Sequence, residues 1–182
     1  MTVVPKISQR MSTLLAITIA ALHLQTSSPD PAGILAAALN RLMPTRRPPG
    51  ALAPTGRADQ AKRKLFLDVV RTTEAFRAVD PLVSPDYAKI GRPFVARART
   101  EAIPCSGVPR HCAVTDDGVY AAITSVKTDS AVNSYRIVLL LLSNGFSPPR
   151  GPVTGTETEM FISRDKRGEW RVDRIGQIAA IN

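Results

Sequence analysis

The chain has 182 residues, of which 44% are hydrophobic and only 5% are aromatic. This length and composition exclude a wholly disordered chain and predict one globular domain with an aliphatic core, plus accessory segments. The formal net charge is +9, but residues 105–182 carry nine basic and eight acidic side chains, so the excess lies in the first part of the chain. Nucleic-acid binding needs clustered cations together with stacking aromatic side chains, and the sequence has neither. Nucleic acid is therefore not among the predicted partners.

Residues 1–28 have the pattern of an export signal. Lys6 and Arg10 precede an apolar run over residues 11–24, and no acidic residue occurs before Asp30. The run is shorter than the about 20 apolar residues of a membrane-spanning helix. We therefore predict a signal peptide, a mature chain without a stable transmembrane span, and a periplasmic or extracellular location. An uncleaved anchor and an organelle transit peptide are the alternatives.

Two accessory segments follow the predicted signal. Residues 29–43 predict a short helix, because Asp30 can cap it, Pro31 suits its first turn and apolar residues recur on one face. Residues 44–58 contain four prolines and two glycines among arginines, which is typical of an extended linker.

Residues 59–182 are predicted to form an α+β globular domain whose first element is one long helix over residues 59–79. Its apolar side chains repeat every three to four residues, and Asp80-Pro81 ends the segment. A short helix is predicted after Ser84. Residues 94–103 are compatible with either an edge strand or a helix.

The two cysteines, Cys105 and Cys112, are separated by a short segment that contains Gly107 and Pro109. These turn residues let the backbone fold back, and an oxidising compartment favours a disulfide, so we predict a structural disulfide. Two free thiols remain an alternative. A metal site that uses both thiolates and His111 is another, although a closed zinc site normally needs four ligands.

Two strands and a loop are predicted after the cysteines. Asp116-Asp117-Gly118 indicates a turn, residues 119–127 a strand, and residues 135–142 a strand that is apolar on both faces and therefore central. Residues 144–155 contain several glycines and prolines and predict a long loop, which is the part of the domain where a partner surface is expected.

The chain ends in a predicted hairpin over residues 154–181. Polar and apolar side chains alternate before and after the turn at residues 164–168, as in strands with one buried face. Gly168 stands where a short hairpin loop needs a positive φ, and Trp170 is the expected core anchor.

A resemblance to a known superfamily depends mainly on this hairpin. Residues 160–175, MFISRDKRGEWRVDRI, place a tryptophan just after a charged glycine turn. With a long amphipathic helix followed by a meander of strands, this resembles the nuclear-transport-factor-two-like and cystatin-like α+β superfamily, over residues 59–182. The resemblance implies a curved sheet packed on a helix. Members range from enzymes with an aspartate or histidine in a conical cavity to binding domains without catalysis.

Candidate catalytic residues are few. His23 lies in the predicted signal, which leaves His111 beside Cys112, so no Ser–His–Asp or Cys–His arrangement is predicted. No catalytic, metal-binding or cofactor-binding residue is assigned. Tyr120 and Tyr135, on the predicted strands, are the candidates for lining a pocket, although strand tyrosines are commonly packing residues.

These observations predict an α+β domain, with one long N-terminal helix and short helices packed on a curved, mainly antiparallel sheet of about four strands. The predicted function is that of an exported, non-catalytic binding or interaction domain. Its partner would be a small apolar ligand held between helix and sheet, or an envelope protein. The alternative is a small hydrolase or isomerase that uses a carboxylate and a tyrosine in a conical cavity.

Overall fold

The computed structural model describes residues 28–44, 62–107, 111–131, 133–145 and 152–181. Within these residues there are three α-helices and eight strands. In chain order they are α1 (Pro31–Leu42), β1 (Leu65–Leu67), α2 (Val69–Arg77), β2 (Val95–Ala96), α3 (Arg99–Ala102), β3 (Cys105–Ser106), β4 (His111–Cys112), β5 (Val119–Thr128), β6 (Ser134–Asn144), β7 (Val153–Arg164) and β8 (Trp170–Ile181). Two 3-10 turns, Tyr87–Ile90 and Thr115–Asp117, lie in the connections.

Six of the strands form one mixed sheet in the order β2-β1-β5-β6-β7-β8. Strand β1 is parallel to both β2 and β5, and the remaining neighbours are antiparallel. Strands β3 and β4 form a separate two-stranded antiparallel hairpin. One edge of the large sheet is the two-residue strand β2 and the other is the twelve-residue strand β8.

The predicted fold class is wrong in its first element and in its sheet. The described part of residues 59–79 is not one long helix: residues 65–67 form β1, and helix α2 begins only at Val69. The longest described helix is α1, with 12 residues. The sheet is mixed with six strands, and not mainly antiparallel with about four. The first three residues of that predicted helix, 59–61, lie outside the described residues.

The long helix is predicted wrongly because two apolar segments, a short strand and a helix, adjoin at Asp68. Leu65, Phe66 and Leu67 are all buried, as in a short parallel strand covered on both faces. Asp68 then accepts a hydrogen bond from the Arg71 amide with its Oδ1, at 3.0 Å, and so caps the N-terminus of α2. The apolar residues of the strand lie three to four positions from those of the helix, which gives the appearance of one continuous helical stripe.

In the second half of the domain, the strands occur at the positions that the sequence predicts. Strands β5 and β6 coincide closely with the predicted strands over residues 119–127 and 135–142, and β7 and β8 form the predicted hairpin. Gly168 has a φ of 79°, as the short loop requires. The ambiguous residues 94–103 hold both a strand, β2, and a helix, α3.

The sheet is buried on its helix face and on part of its other face. Its helix face packs under α1 and α2 and forms the main core, with Ile34, Leu35, Leu39, Phe76, Ile123, Ile137 and Leu139 fully buried. Its other face, here called the outer face, carries a second cluster of Phe66, Tyr120, Ala122, Leu140 and Leu142. Ala102, Ile103 and Val114 belong to this second cluster and Cys112 packs against it, so the described residues 102–107 and 111–114 cover part of the outer face.

Helix α1 is positioned by a close contact with the C-terminal hairpin. Asp30 caps the helix by accepting a hydrogen bond from the Gly33 amide at 3.1 Å. A Cβ atom at Gly33 would lie only 2.9 Å from Trp170 Nε1, so the absence of a side chain lets the indole lie against the first turn. Trp170 is half-buried against the main core and therefore anchors both the hairpin and α1.

Candidate functional site

Among the described hydrogen bonds to a carboxylate, the one between Tyr120 and Asp68 is the most buried. The Tyr120 hydroxyl donates to Asp68 Oδ2 at 2.8 Å, and these residues are 0% and 6% exposed. Asp68 Oδ2 also accepts from the Arg99 amide at 3.3 Å, and its Oδ1 accepts from the Arg71 amide. One carboxylate thus joins β1, the N-termini of α2 and α3, and β5.

The chemistry of this pair is that of a structural contact. Burial raises the pKa of Tyr120 well above its ordinary value, and the hydrogen bond to Asp68 and the negative charge of Asp68 raise it further. The hydroxyl therefore stays protonated and acts as a donor. Because three donors already engage the carboxylate, its remaining capacity to accept a proton from a substrate is small.

Tyr135, the other predicted pocket candidate, lies on the opposite face of the sheet. Its ring is buried in the main core and contacts Trp170, with ring centroids 5.7 Å apart. Burial raises the pKa of Tyr135, while nearby Arg164 lowers it. Since Tyr120 belongs to the outer-face cluster, the structure does not bring the two tyrosines together.

Cys105 and Cys112 are joined by a disulfide and face each other in the register of β3 and β4. His111 is exposed and pairs in register with Ser106. In the described part of the chain, no group of three His, Cys, Asp or Glu side chains is placed to hold a metal ion. The disulfide joins the two strands of the β3–β4 hairpin, which lies within the segment that covers the outer face.

Asn144 holds this covering segment to the sheet. Its Oδ1 accepts from the Val114 amide at 2.6 Å and its Nδ2 donates to the Val114 carbonyl at 3.0 Å, so the side chain imitates a strand partner. Asn144 is the last residue of β6 and the first of the predicted loop 144–155. The disulfide hairpin and this loop therefore lie at the same end of the sheet. Residues 146–151 of the loop are outside the described ranges.

Asp116 and Asp117 serve as turn residues and their carboxylates contact different cations. Both have a φ of 52°, in the left-handed region that aspartate tolerates better than most residues. Asp116 lies 2.8 Å from Lys64 Nζ, and this hydrogen bond lowers the pKa of Asp116. Asp117 lies 3.6 Å from Arg63 and accepts from Asn144 Nδ2 at 3.3 Å. The two carboxylates do not form an acid–base pair.

Strand β8 presents a long unpaired edge. Among the described residues no strand lies beyond it. Two irregularities interrupt its pairing with β7, near Asp173 and near residues 176–177, and residues 178–181 pair without interruption. Ile178 is 50% exposed, and Ala179 and Ala180 are exposed. The regular part of the edge is thus also its apolar part.

Sequence reasoning missed Asp68 and Asn144. The helical repeat over residues 59–79 predicts Asp68 inside a helix, although an aspartate between a three-residue apolar run and a helical repeat also indicates a strand followed by a helix cap. Asn144 was treated as the first residue of a loop. No sequence signal identifies its contact with Val114, because the two residues are brought together only by the fold.

None of the described helices is long and apolar enough to cross a membrane. Comparison with known proteins gives no match to a family model, to a curated protein or to a solved structure. The predicted relationship to the nuclear-transport-factor-two-like and cystatin-like superfamily therefore stays a prediction, and function has to be argued from geometry.

Proposed function

We propose that the protein is an exported, non-catalytic interaction domain that receives an extended peptide segment of a partner along the open edge of β8. The observation that carries the proposal is the contrast between the two edges of the sheet. Edge strand β2 has two residues, which leaves little backbone to pair, whereas β8 has twelve. Long open edges are normally avoided because they pair with other chains, and peptide recognition by strand addition uses such edges.

The regular, apolar stretch 178–181 is the part of β8 that suits a partner strand. β-bulges twist a strand and disturb its ladder, so the two irregularities protect residues 170–177 from pairing. Beyond them the edge is straight, and the half-exposed side chain of Ile178 offers an apolar contact on the helix face. A short extended segment with apolar side chains matches this stretch.

The close packing of the interior also favours a binding site on the surface. Between α1, α2 and the sheet the side chains of the main core are fully buried against one another. The predicted apolar ligand between helix and sheet would have to displace such side chains. The alternative enzymatic function has one supporting observation, the Tyr120–Asp68 hydrogen bond, and both of these side chains are sealed from solvent. We therefore place the interaction function first.

Export is the second part of the proposal. It is supported by the Cys105–Cys112 disulfide, which is typical of oxidising compartments, and by the predicted signal in residues 1–28. Residues 1–27 are outside the described ranges. N-terminal sequencing of the exported chain should find a start between about residues 24 and 38. A chain with intact Met1 in the soluble fraction would contradict export through a cleaved signal.

The peptide-binding part is tested with a displayed library of random twelve-residue peptides, selected on the disulfide-intact protein. We expect enriched peptides with alternating apolar side chains that protect the amides of residues 178–181 from hydrogen exchange. Ile178→Lys should weaken this binding by about tenfold or more, because a charge on the edge opposes strand addition. Leu82→Lys is the matched control, since Leu82 is 90% exposed on a turn away from the edge. Protection confined to other residues, or equal binding by the Ile178 variant, would rule out the proposed edge.

A further inference from the structure

Two glutamates of β7 lie on the outer face of the sheet, one strand away from the open edge of β8. Glu157 and Glu159 are two positions apart, so their side chains point to the same face. Glu157 stands opposite Leu140 in the register with β6, and Leu140 belongs to the outer-face cluster. Directly opposite residues share a face of the sheet. Both carboxylates are therefore on the outer face, and they differ in their neighbours.

Glu159 is neutralised within the sheet. Its carboxylate lies 3.6 Å from the guanidinium group of Arg136 on the adjacent strand β6. Gly176 on β8 leaves room for this carboxylate, because a Cβ atom there would lie only 2.5 Å from Glu159 Oε2. One cation on the neighbouring strand thus balances the charge of Glu159.

Glu157 has no such cation, and the strand register explains why. Its direct neighbours are Leu140 on β6 and Ala179 on β8, and both are apolar. The diagonal positions on the two neighbouring strands carry uncharged side chains as well: Val138, Leu142, Gln177 and Ile181. In the described part of the chain Glu157 forms no ion pair. Its side chain is half-buried among apolar neighbours, where the attraction of an opposite charge is stronger than in bulk water.

An extended segment that pairs with residues 178–181 would bring a side chain close to this carboxylate. The residue of the added strand opposite Ala179 lies on the outer face, whichever direction the strand runs. Its backbone is two strand spacings, about 10 Å, from that of Glu157. Ala179 stands between them, is exposed and has only a methyl group, so the long apolar stem of a lysine or arginine can lie across it and place the charged group at Glu157.

We propose that the partner segment bound along β8 carries a lysine or arginine at the position opposite Ala179, and that Glu157 selects this residue. An acidic side chain at that position would be repelled, and a short one would not reach. The adjacent residue of the segment faces Ile178 on the other side of the sheet, so the preferred segment has neighbouring basic and apolar side chains. The role of Glu157 rests on the proposed peptide edge and gives that edge a charge preference.

The test is selection of the twelve-residue peptide library in parallel on the disulfide-intact wild-type protein and on Glu157→Gln. The wild type should enrich peptides with a basic residue next to an apolar one, and Glu157→Gln should lose the preference for the basic residue. In one enriched peptide, replacing the basic residue by glutamine should weaken binding to the wild type about two- to fivefold, the range of an exposed ion pair. The same replacement should leave binding to Glu157→Gln unchanged, as expected for a direct pair.

Glu169→Gln is the matched control, because Glu169 is exposed in the turn at the other end of the β7–β8 hairpin. This variant should keep the preference for a basic residue. Peptides that protect the amides of residues 178–181 from hydrogen exchange without favouring a basic residue would overturn the role of Glu157 and leave the peptide edge standing. Equal effects of Glu157→Gln and Glu169→Gln would do the same. Absence of protection at residues 178–181 would contradict the edge, and the role of Glu157 with it.

Discussion

Among single residues, Tyr120 and Asp68 make the contact with the largest expected energetic effect. The hydroxyl and the carboxylate are both buried and 2.8 Å apart. In a buried site a lost donor leaves its acceptor poorly satisfied, which costs more than the net gain of an average hydrogen bond. The same contact explains why Tyr120, predicted as a pocket residue, serves as a packing and hydrogen-bonding residue in the outer-face cluster.

Tyr120→Phe tests this contact directly. We expect the free energy of unfolding to fall by about 1–2 kcal/mol, because Asp68 loses one of its three donors and nothing replaces it. Urea unfolding followed by circular dichroism gives the value. Tyr87→Phe is the control, since its hydroxyl lies 3.0 Å from Thr73 Oγ1 in a half-buried site and should contribute less. Equal losses in the two variants would contradict the assigned role of Asp68.

Stability at alkaline pH provides a second test of Tyr120. Burial and the contact with Asp68 raise the pKa of Tyr120 in the folded protein, whereas an unfolded tyrosine titrates near pH 10. Above about pH 10 the unfolded chain releases a proton that the folded chain retains, so stability is fully present below that pH and falls as the pH rises further. Unfolding free energies measured from pH 8 to 11 should show this decline, and Tyr120→Phe should make it shallower. An unchanged slope would contradict the assignment.

At the scale of elements, α1 depends on the one glycine in its first turn. Replacing a helical glycine by alanine normally adds up to about 1 kcal/mol of stability. At Gly33 the new Cβ would lie 2.9 Å from Trp170 Nε1 and 2.6 Å from Asp30 Oδ2, so the expected sign is reversed. Gly33→Ala should lower the free energy of unfolding by about 1–3 kcal/mol, as overpacked sites do.

Asn40→Ala is the matched control for that substitution, because Asn40 is exposed on the same helix. Its replacement should stabilise the protein slightly through helix propensity alone. Thermal unfolding of both variants compares the two effects. A stabilising Gly33→Ala would show that α1 does not dock on Trp170 as described.

Helix α1 and the long strands β5 to β8 were predictable from the sequence, whereas the short parallel strands β1 and β2 were not, for physical reasons. Strands β5 to β8 are at least ten residues long and are joined along the chain as antiparallel neighbours. Strands β1 and β2 have three and two residues, too few to show a period of two. Their parallel pairing joins segments distant in sequence, which a local pattern does not reveal. The same limit hid Asp68, whose partners Arg99 and Tyr120 lie 31 and 52 residues away.

For the molecule as a whole, the sheet is covered on its helix face and on part of its outer face, whereas the predicted arrangement has helices on one face only. A sheet with helices on one face would leave Tyr120, Leu140 and Leu142 facing water. Instead the described residues 102–107 and 111–118 form a cover, in which Ala102, Ile103, Cys112 and Val114 pack on these side chains. This cover contains only short elements, and it is held by the disulfide, by Asn144 and by a hydrogen bond from Thr115 Oγ1 to the Ala102 carbonyl at 3.1 Å. The outer face is thus secured by a few specific bonds and the helix face by extensive apolar packing.

The disulfide should therefore stabilise the outer face more than the helix face. We expect Cys105→Ser/Cys112→Ser to lower the free energy of unfolding by about 2 kcal/mol, the value typical of a short closed loop. In native-state hydrogen exchange, the amides of residues 102–118 should be deprotected more than those of β6, because local opening of the cover leaves the main core intact. Reduced wild-type protein should give the same pattern and serves as the control. Equal deprotection of the cover and of β6 would mean that the two faces open as one unit, and that the cover is as firmly packed as the helices.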